Sequence, residues 1–200
     1  MKTIKAGVIG ATGYAGLELV RLLLAHPHAE VMAVSSVSYA GQAVSAVYPQ
    51  LTGLCDLTLT DDGGVIDACD VVFTSMPAGH AEPIARRCFD AGKLMIDLGA
   101  DFRLENEADY RQWYGGQYAD PALHQQAVYC IPELHRARAR GAKLIANPGC
   151  YVTSACLGLA PAVSSGAVDL KTIVIDAKSG ATGAGRSLTL NTHYAECNEA

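Results

Sequence analysis

A glycine-rich turn near the N-terminus constrains the fold of this chain more than any other feature. The apolar residues 6–9 predict a short buried strand that leads directly into Gly-Ala-Thr-Gly-Tyr-Ala-Gly at positions 10–16. Residues 17–24 carry apolar side chains on all sides, as a helix packed on a sheet would. A strand, a glycine-rich turn and a helix in this order are typical of the start of a Rossmann-type unit.

The turn is the predicted phosphate site. Glycines let the backbone approach the pyrophosphate of a dinucleotide, whose charge would lie at the N-terminus of the following helix. The spacing is G-x-x-G-x-x-G rather than the common G-x-G-x-x-G, and a tight turn without a ligand is the alternative. The cofactor-binding residues predicted from this turn are Gly10, Thr12, Gly13, Tyr14, Ala15 and Gly16.

The end of the next predicted strand indicates which dinucleotide is bound. Residues 30–34 form this strand, and Ser35 and Ser36 follow it. Units that bind NAD usually place an Asp or Glu here, which accepts a hydrogen bond from the ribose 2′-hydroxyl. Hydroxyl groups without a carboxylate suit a 2′-phosphate, so the sequence favours NADP(H) as the cofactor.

Strands and helices continue to alternate. Residues 71–74, 93–97 and 144–146 predict further strands, and residues 80–91 predict a helix between the first two. This alternation predicts an α/β fold with a doubly wound, mostly parallel sheet. Because ligands bind beyond the carboxyl ends of such strands, we expect Ser75, Pro77, Arg103 and Cys150 to share one cleft, with Ser75 and Pro77 on the cofactor.

The stretch Asn-Pro-Gly-Cys-Tyr at 147–151 predicts a nucleophile. It stands between the strand 144–146 and a predicted helix 152–160, which places the Cys150 thiol at a helix N-terminus. The unpaired N–H groups there favour negative charge, so this thiol should ionise more easily than a free one. A buried, inert cysteine is the alternative.

A second anion site is predicted further along the chain. Residues 172–177 predict a strand that opens into a glycine-rich loop ending in Arg186. Backbone N–H groups and a guanidinium suit a phosphate or carboxylate, and a flexible surface loop is the alternative. Ser179, Arg186 and Arg103 are the predicted substrate contacts, and Gly180 is a predicted cofactor contact.

Composition excludes several classes. The net charge of -5 and the lack of a basic cluster argue against nucleic-acid binding. No signal peptide or membrane-length apolar run occurs, so the sequence predicts a cytoplasmic chain without membrane contact. Seven cysteines without a C-x-x-C pair, and scattered histidines, predict neither a disulfide framework nor a metal site. His124 is expected on a solvated helix face.

These motifs together resemble the N-acetyl-gamma-glutamyl-phosphate reductase family of arginine biosynthesis. The residues that carry the resemblance are Ala-Thr-Gly-Tyr-Ala-Gly-Leu-Glu-Leu at 11–19, Asp-Leu-Gly-Ala-Asp-Phe-Arg at 97–103, Tyr-Cys-Ile-Pro-Glu-Leu at 129–134, the 147–151 stretch and the loop 179–186. They occur in order from the first strand to the last residues. The resemblance therefore covers essentially the whole chain.

The resemblance implies an NADP-dependent acyl-phosphate reductase that forms an aldehyde. Cys150 matches the family's nucleophile and would form a thioester, while an acyl phosphate would be the substrate. The family also implies a homo-oligomer and two domains: a Rossmann-type NADP-binding domain at 1–149 and, at 150–200, the start of a truncated α+β substrate and dimerisation domain.

The chain departs from the family pattern in one respect that leaves alternatives open. Family members carry a catalytic histidine in a His-Arg-His-like stretch, and no such stretch occurs here. Either the chain is a fragment or another group does the acid–base work. A non-catalytic dinucleotide-binding module and a reductase for the aminoadipyl analogue of lysine biosynthesis stay as alternatives. A short-chain reductase is disfavoured because no Tyr is followed by Lys four residues later.

Overall fold

The computed structural model describes residues 3–198 and contains one parallel sheet of seven strands. The strand order is β3-β2-β1-β4-β5-β7-β6, and every neighbouring pair runs parallel. The strands are β1 Ile4–Ile9, β2 Ala29–Ser35, β3 Leu59–Thr60, β4 Val71–Thr74, β5 Leu94–Asp97, β6 Ala127–Tyr129 and β7 Leu144–Ala146. The predicted α/β class with a Rossmann-type sheet is confirmed.

Helices connect the strands and continue beyond the last of them. The α-helices are α1 Tyr14–Leu24, α2 Val44–Val47, α3 Asp62–Ala68, α4 Ala81–Asp90, α5 Glu107–Tyr114, α6 Pro121–Gln126, α7 Pro132–Ala139, α8 Cys150–Ser164 and α9 Tyr194–Asn198. Short 3-10 helices occur at Pro49–Leu51, Leu170–Thr172, Ala181–Ala184 and Leu190–Thr192. Between residues 3 and 198, no helix combines the length and apolar character that crossing a membrane requires.

The sheet is covered on both faces, as a parallel sheet requires. Neighbouring residues of one strand belong to different apolar clusters. Val8 and Val34 belong to one cluster, and their neighbours Ile9 and Ala33 belong to the other. Side chains of a strand alternate between the two faces of the sheet, so the two clusters lie on opposite sides. This arrangement leaves the carboxyl ends of the strands as the open edge where loops gather.

The sequence missed two strands. β3 and β6 contain only two and three residues and form the two edges of the sheet. Runs this short show no period, and neither is followed by a turn motif like the one that marked the equally short β7. They form because β2 and β7 offer backbone groups for pairing. The addition of β3 matters for the site, since it brings the start of α3 beside the end of β2.

The chain divides into two compact units, Met1–Asn147 and Pro148–Ala200. The first contains the whole sheet. Within the second, α8 has no fully buried residue. The strand predicted at 172–177 is wrong: these residues, all of which the structure describes, form no strand. A strand needs a neighbour for its backbone groups, and every strand among residues 3–198 belongs to the first unit.

Candidate functional site

The glycine-rich turn joins β1 to α1 and approaches the loop after β4 closely. Gly10 has a φ of 82°, and a Cβ at this position would lie 2.5 Å from the Ser75 carbonyl oxygen. A Cβ at Gly16 would collide with the Gly10 carbonyl. Glycine is therefore required at both positions by the fold itself. Gly13 differs, because its Cβ would lie 3.6 Å from that carbonyl, an ordinary contact.

The N-terminus of α1 opens at this turn. Gly13 is the N-cap residue, no side chain caps the helix, and its first turn contains no acidic residue. Tyr14 and Ala15, the first two helical residues, are exposed. Uncapped N–H groups and the positive end of the helix dipole favour an anion here. The turn therefore fits the pyrophosphate of a dinucleotide.

The turn also lies where the strand order reverses. β1 has β2 on one side and β4 on the other. The Ser75 amide donates to the Ile9 carbonyl at 2.9 Å, so the loop after β4, which contains Ser75 and Pro77, is tied to the end of β1. Ligands of open parallel sheets bind at such a reversal. The structure thus brings the predicted cofactor residues of both loops to one edge of the sheet.

Hydroxyl groups line the end of β2, but they have partners within the protein. The buried Thr12 and Ser36 hydroxyl oxygens are 2.6 Å apart, and the Tyr48 hydroxyl donates to the Thr12 carbonyl at 2.7 Å. The Ser35 hydroxyl is buried and donates to Asp62 Oδ1 at 2.6 Å. Ser35 therefore bonds to a carboxylate of the same unit.

Asp62 places a carboxylate at the end of β2, where the sequence predicts only hydroxyl groups. Strand β2 ends without a carboxylate, as predicted, but α3 brings Asp62 to the same place. A depression of about 150 Å³ lies here, lined by Ser36, Val37, Ala40, Thr60, Asp61 and Asp62. Sequence reasoning missed Asp62 because its position depends on the pairing of β3 with β2, which no local pattern indicates.

Arg103 is used within the fold. Its Nε donates to the Asn147 carbonyl at 2.9 Å and its Nη2 donates to the Leu98 carbonyl at 2.7 Å. The half-buried guanidinium thereby joins the backbone that follows β5 to the backbone that follows β7. Its role as a substrate contact stays a prediction.

Asp97 is a buried carboxyl group at the end of β5 that sequence reasoning did not single out. It is 0% exposed. Its Oδ1 accepts hydrogen bonds from the Thr74 hydroxyl at 2.7 Å and from the Gly99 amide at 2.9 Å. Its Oδ2 has no partner among the described residues. Burial raises the pKa of Asp97, and these two hydrogen bonds oppose the increase.

Cys150 is the first residue of α8, directly after the N-cap Gly149, and its side chain is exposed. The predicted order of strand, turn and helix is confirmed, although α8 begins earlier and ends later than predicted. Four other cysteines are buried, namely Cys55, Cys69, Cys88 and Cys130. Their burial contrasts with the accessible thiol at the start of α8.

The predicted anion loop lies on the surface of the second unit. Gly180 is the N-cap residue of the short 3-10 helix Ala181–Ala184. Ser179 packs so closely against Gly183 that a Cβ there would collide with the Ser179 hydroxyl. Arg186 follows Gly185, whose φ is 86°, and is exposed. The ligands assigned to Ser179, Gly180 and Arg186 stay predictions.

His124 was wrongly placed on a solvated helix face. It is 8% exposed, its Nε2 lies 3.0 Å from Glu82 Oε1, and the Tyr118 ring stacks on it with centroids 3.4 Å apart. α6 packs against α4, and this pairing buries the side chain. Among the described residues, no group of three or more His, Cys, Asp or Glu side chains is arranged to hold a metal ion.

Comparison with known proteins identifies the family. The model of the NAD-binding domain of semialdehyde dehydrogenases matches residues 5–142, and the model of their dimerisation domain matches residues 150–200. The chain belongs to the semialdehyde dehydrogenase family. The first match covers the glycine-rich turn and all strands of the sheet except β7, and the second begins at Cys150.

Two similar curated proteins share one name. Proteins called N-acetyl-gamma-glutamyl-phosphate reductase are 51% identical in Brachyspira hyodysenteriae, where the match covers 98% of this chain and 58% of the relative. In Moorella thermoacetica the identity is 52%, with 98% of this chain and 57% of the relative covered. The chain therefore spans just over half the length of these relatives.

Solved structures agree with the fold. The structure of aspartate semialdehyde dehydrogenase of Candida albicans with NADP gives a TM-score of 0.59 at 22% identity. The match covers 82% of this chain and 48% of the Candida chain. Aspartate semialdehyde dehydrogenase II of Vibrio cholerae gives a TM-score of 0.62 at 16% identity. The match covers 82% of this chain and 47% of the Vibrio chain. At these identities the likeness establishes the fold alone.

Proposed function

We propose that this chain supplies the cofactor site and the nucleophile of an NADPH-dependent reductase. The substrate is N-acetyl-L-glutamyl 5-phosphate, and the products are N-acetyl-L-glutamate 5-semialdehyde and phosphate, in arginine biosynthesis. The observation that carries the proposal is the exposed Cys150 thiol at the first position of α8, in a chain half identical to reductases of that name.

The chemistry requires sulfur at this position. The Cys150 thiolate attacks the carbonyl carbon of the acyl phosphate, the bond from that carbon to the phosphate oxygen breaks, and phosphate leaves. The resulting thioester is more reactive toward hydride than an ester, and NADPH is the hydride donor when bound. The hemithioacetal then collapses to the aldehyde and returns the thiolate.

Positive groups and backbone donors are assigned to the substrate's anionic groups. Arg186 and Ser179 offer donors in the second unit, and Arg103 carries a guanidinium in the first. A phosphate or carboxylate suits a bidentate guanidinium. Gly180 is assigned to the cofactor. The acid–base group is left unassigned, because the family histidine stretch does not occur in this sequence.

NADP(H) is the proposed cofactor. The support is the Thr12 hydroxyl of the turn and the Ser36 hydroxyl after β2, together with the uncapped N-terminus of α1. Asp62 opposes this choice, because a carboxylate repels a 2′-phosphate. The match to a dimerisation domain supports a homo-oligomer, and a cytoplasmic location follows from the proposed biosynthetic role.

The alternative is a dinucleotide-binding module without catalysis. It is favoured by one observation, that the glycine-rich turn and the loop after β4 meet within the first unit alone. An aminoadipyl substrate is a variant of the main proposal, since one methylene is worth only about 1–3 kcal/mol in discrimination.

Hydride transfer decides between these functions. In the reverse direction, we expect the chain to reduce NADP when it is given N-acetylglutamate semialdehyde and phosphate. The absorbance of the reduced nicotinamide measures this reaction. Cys150→Ser should abolish this turnover while dinucleotide binding survives. Cys197→Ser, a matched change at another exposed thiol, should leave both intact. Cofactor binding without turnover in the unsubstituted chain would favour the module instead.

A further inference from the structure

Asp101 ties the loop after β5 to the loop after β4 through two backbone amides. It follows β5 and is 1% exposed. Its Oδ1 accepts from the Gly79 amide at 2.6 Å, and its Oδ2 accepts from the Ala81 amide at 2.7 Å. Both oxygens of one buried carboxylate thus accept from a loop that lies 20 to 22 residues earlier in the chain.

The Ala81 amide belongs to the first residue of α4, and the Gly79 amide lies just before the N-cap residue. His80, the N-cap residue of α4, makes no side-chain capping bond. The first N–H groups of a helix need an acceptor from outside the helix. Asp101 supplies it across the sheet edge, and its negative charge lies at the positive end of the helix dipole.

The loop that Asp101 holds is the one that meets the glycine-rich turn. Gly79, with a φ of 88°, ends the segment that begins at Ser75, whose carbonyl oxygen lies against Gly10. The Met76 sulfur also approaches Gly10, at 3.1 Å from an added Cβ. The position of this segment therefore sets the space available to a dinucleotide at the turn.

Tyr110 of α5 is a third hydrogen-bond donor to the Asp101 carboxylate. Its buried hydroxyl donates to Asp101 Oδ1 at 2.9 Å. Burial raises the pKa of Tyr110, and the bond to Asp101 adds to the increase, so the hydroxyl keeps its proton and acts as a donor. The carboxylate is thus fixed by a third group, which limits its movement.

We propose that Asp101 is a positioning residue for the dinucleotide: it holds the 75–79 loop against Gly10 through the Gly79 and Ala81 amides. The inference rests on the cofactor site of the proposed function and is independent of the Cys150 chemistry. A loop held in place before binding spares the ligand the entropy of ordering it, so the affinity for the cofactor is higher.

Asp101→Asn tests this role with little change in side-chain size. The amide cannot accept from both N–H groups at once, because its nitrogen is a donor. We expect the dissociation constant for NADPH to rise about tenfold and hydrogen exchange to become faster at the Gly79 and Ala81 amides. Tyr110→Phe keeps both amide bonds and should have a smaller effect on both measurements.

The control separates positioning from general stability. Leu23→Ala removes a buried side chain near the C-terminal end of α1, in the apolar cluster on the other face of the sheet, so it should lower stability without changing the NADPH dissociation constant. An Asp101→Asn protein that binds NADPH as tightly as the unsubstituted chain would overturn the inference. An unsubstituted chain that binds no dinucleotide would instead overturn the proposed function.

A second measurement applies if Asp101→Asn does not fold. In the unsubstituted chain, the Gly79 and Ala81 amides should exchange slowly and slow further when NADPH is added, in contrast to the Gly141 amide of a remote turn. Fast exchange at Gly79 and Ala81 in the free protein would contradict a loop held in place by Asp101.

Discussion

Gly10 and Ser75 approach so closely that a Cβ added to Gly10 would lie 2.5 Å from the Ser75 carbonyl oxygen. Gly10→Ala would also place a side chain on a residue with a φ of 82°. We expect this change to lower the free energy of unfolding by about 2 kcal/mol or more. Urea unfolding followed by circular dichroism measures the loss, and unchanged stability would mean that the two loops separate readily.

Gly13→Ala distinguishes a phosphate site from a merely tight turn. The fold has room for this methyl group, because the added Cβ makes only an ordinary contact at 3.6 Å and φ is -76°. Stability should therefore fall by no more than about 1 kcal/mol. If the pyrophosphate lies against this backbone, NADPH affinity should fall about tenfold or more in a fluorescence titration. Unchanged affinity would assign the turn to the fold alone.

Asp62 is the residue on which the choice between NADPH and NADH should depend. Asp62→Asn removes a negative charge beside Ser36, so the ratio of NADPH to NADH affinity should rise severalfold at low salt. Glu30→Gln makes the same change in charge at the other, exposed end of β2 and should leave the ratio unchanged. An equal ratio in all three proteins would show that Asp62 does not act on the ribose position.

Local patterns were sufficient for the central strands and the glycine-rich turn. The apolar runs of β1 and β4 are bounded by turn residues, and the turn at Gly10 follows from its glycine spacing. The contacts of Asp62 and His124 could not be predicted from local patterns, because each depends on residues far along the chain. Asp62 meets Ser35 only after β3 joins the sheet, and His124 is buried only after α6 packs on α4.

The segment 172–177 shows that a local pattern can also predict a strand that does not form. Its alternating and β-branched residues have high strand propensity, yet Val174 is 89% exposed and no strand forms. Strand propensity reports how well side chains fit a pleated, half-buried surface, so it has no effect without a neighbouring strand. The pattern identified a segment suited to a sheet, and the described residues of its unit offer no partner.

Cys150 should react with iodoacetamide before the other cysteines at neutral pH. Cys55, Cys69, Cys88 and Cys130 are buried, and burial raises the pKa of Cys88 to about 11. Cys197 is the informative comparison, because it is also exposed. We expect Cys150 to be labelled about tenfold faster than Cys197, since it begins a 15-residue helix. Peptide mass spectrometry over a time course gives both rates.

Equal labelling of these two thiols would remove the argument that the start of α8 activates Cys150. Faster labelling of Cys197 would contradict it directly. The four buried cysteines serve as internal standards, because they should label only as the first unit opens.

Asp97→Asn should change how stability depends on pH. Burial raises the pKa of Asp97 in the folded state above its ordinary value of 3.8, so the folded state binds this proton more tightly than the unfolded state. The resulting stabilisation is fully present below pH 3.8 and is lost as the pH rises through the folded-state pKa.

The Asp97→Asn variant should not lose this stabilisation as the pH rises. Its oxygen still accepts from Thr74 and Gly99, and no buried charge forms at neutral pH. We therefore expect the variant to gain stability relative to the unsubstituted chain as the pH rises above 3.8 toward neutrality. Denaturant unfolding at a series of pH values measures the difference. A variant that loses relative stability over this range would mean that the ionised Asp97 carboxylate is favoured in the fold, against the effect of its burial.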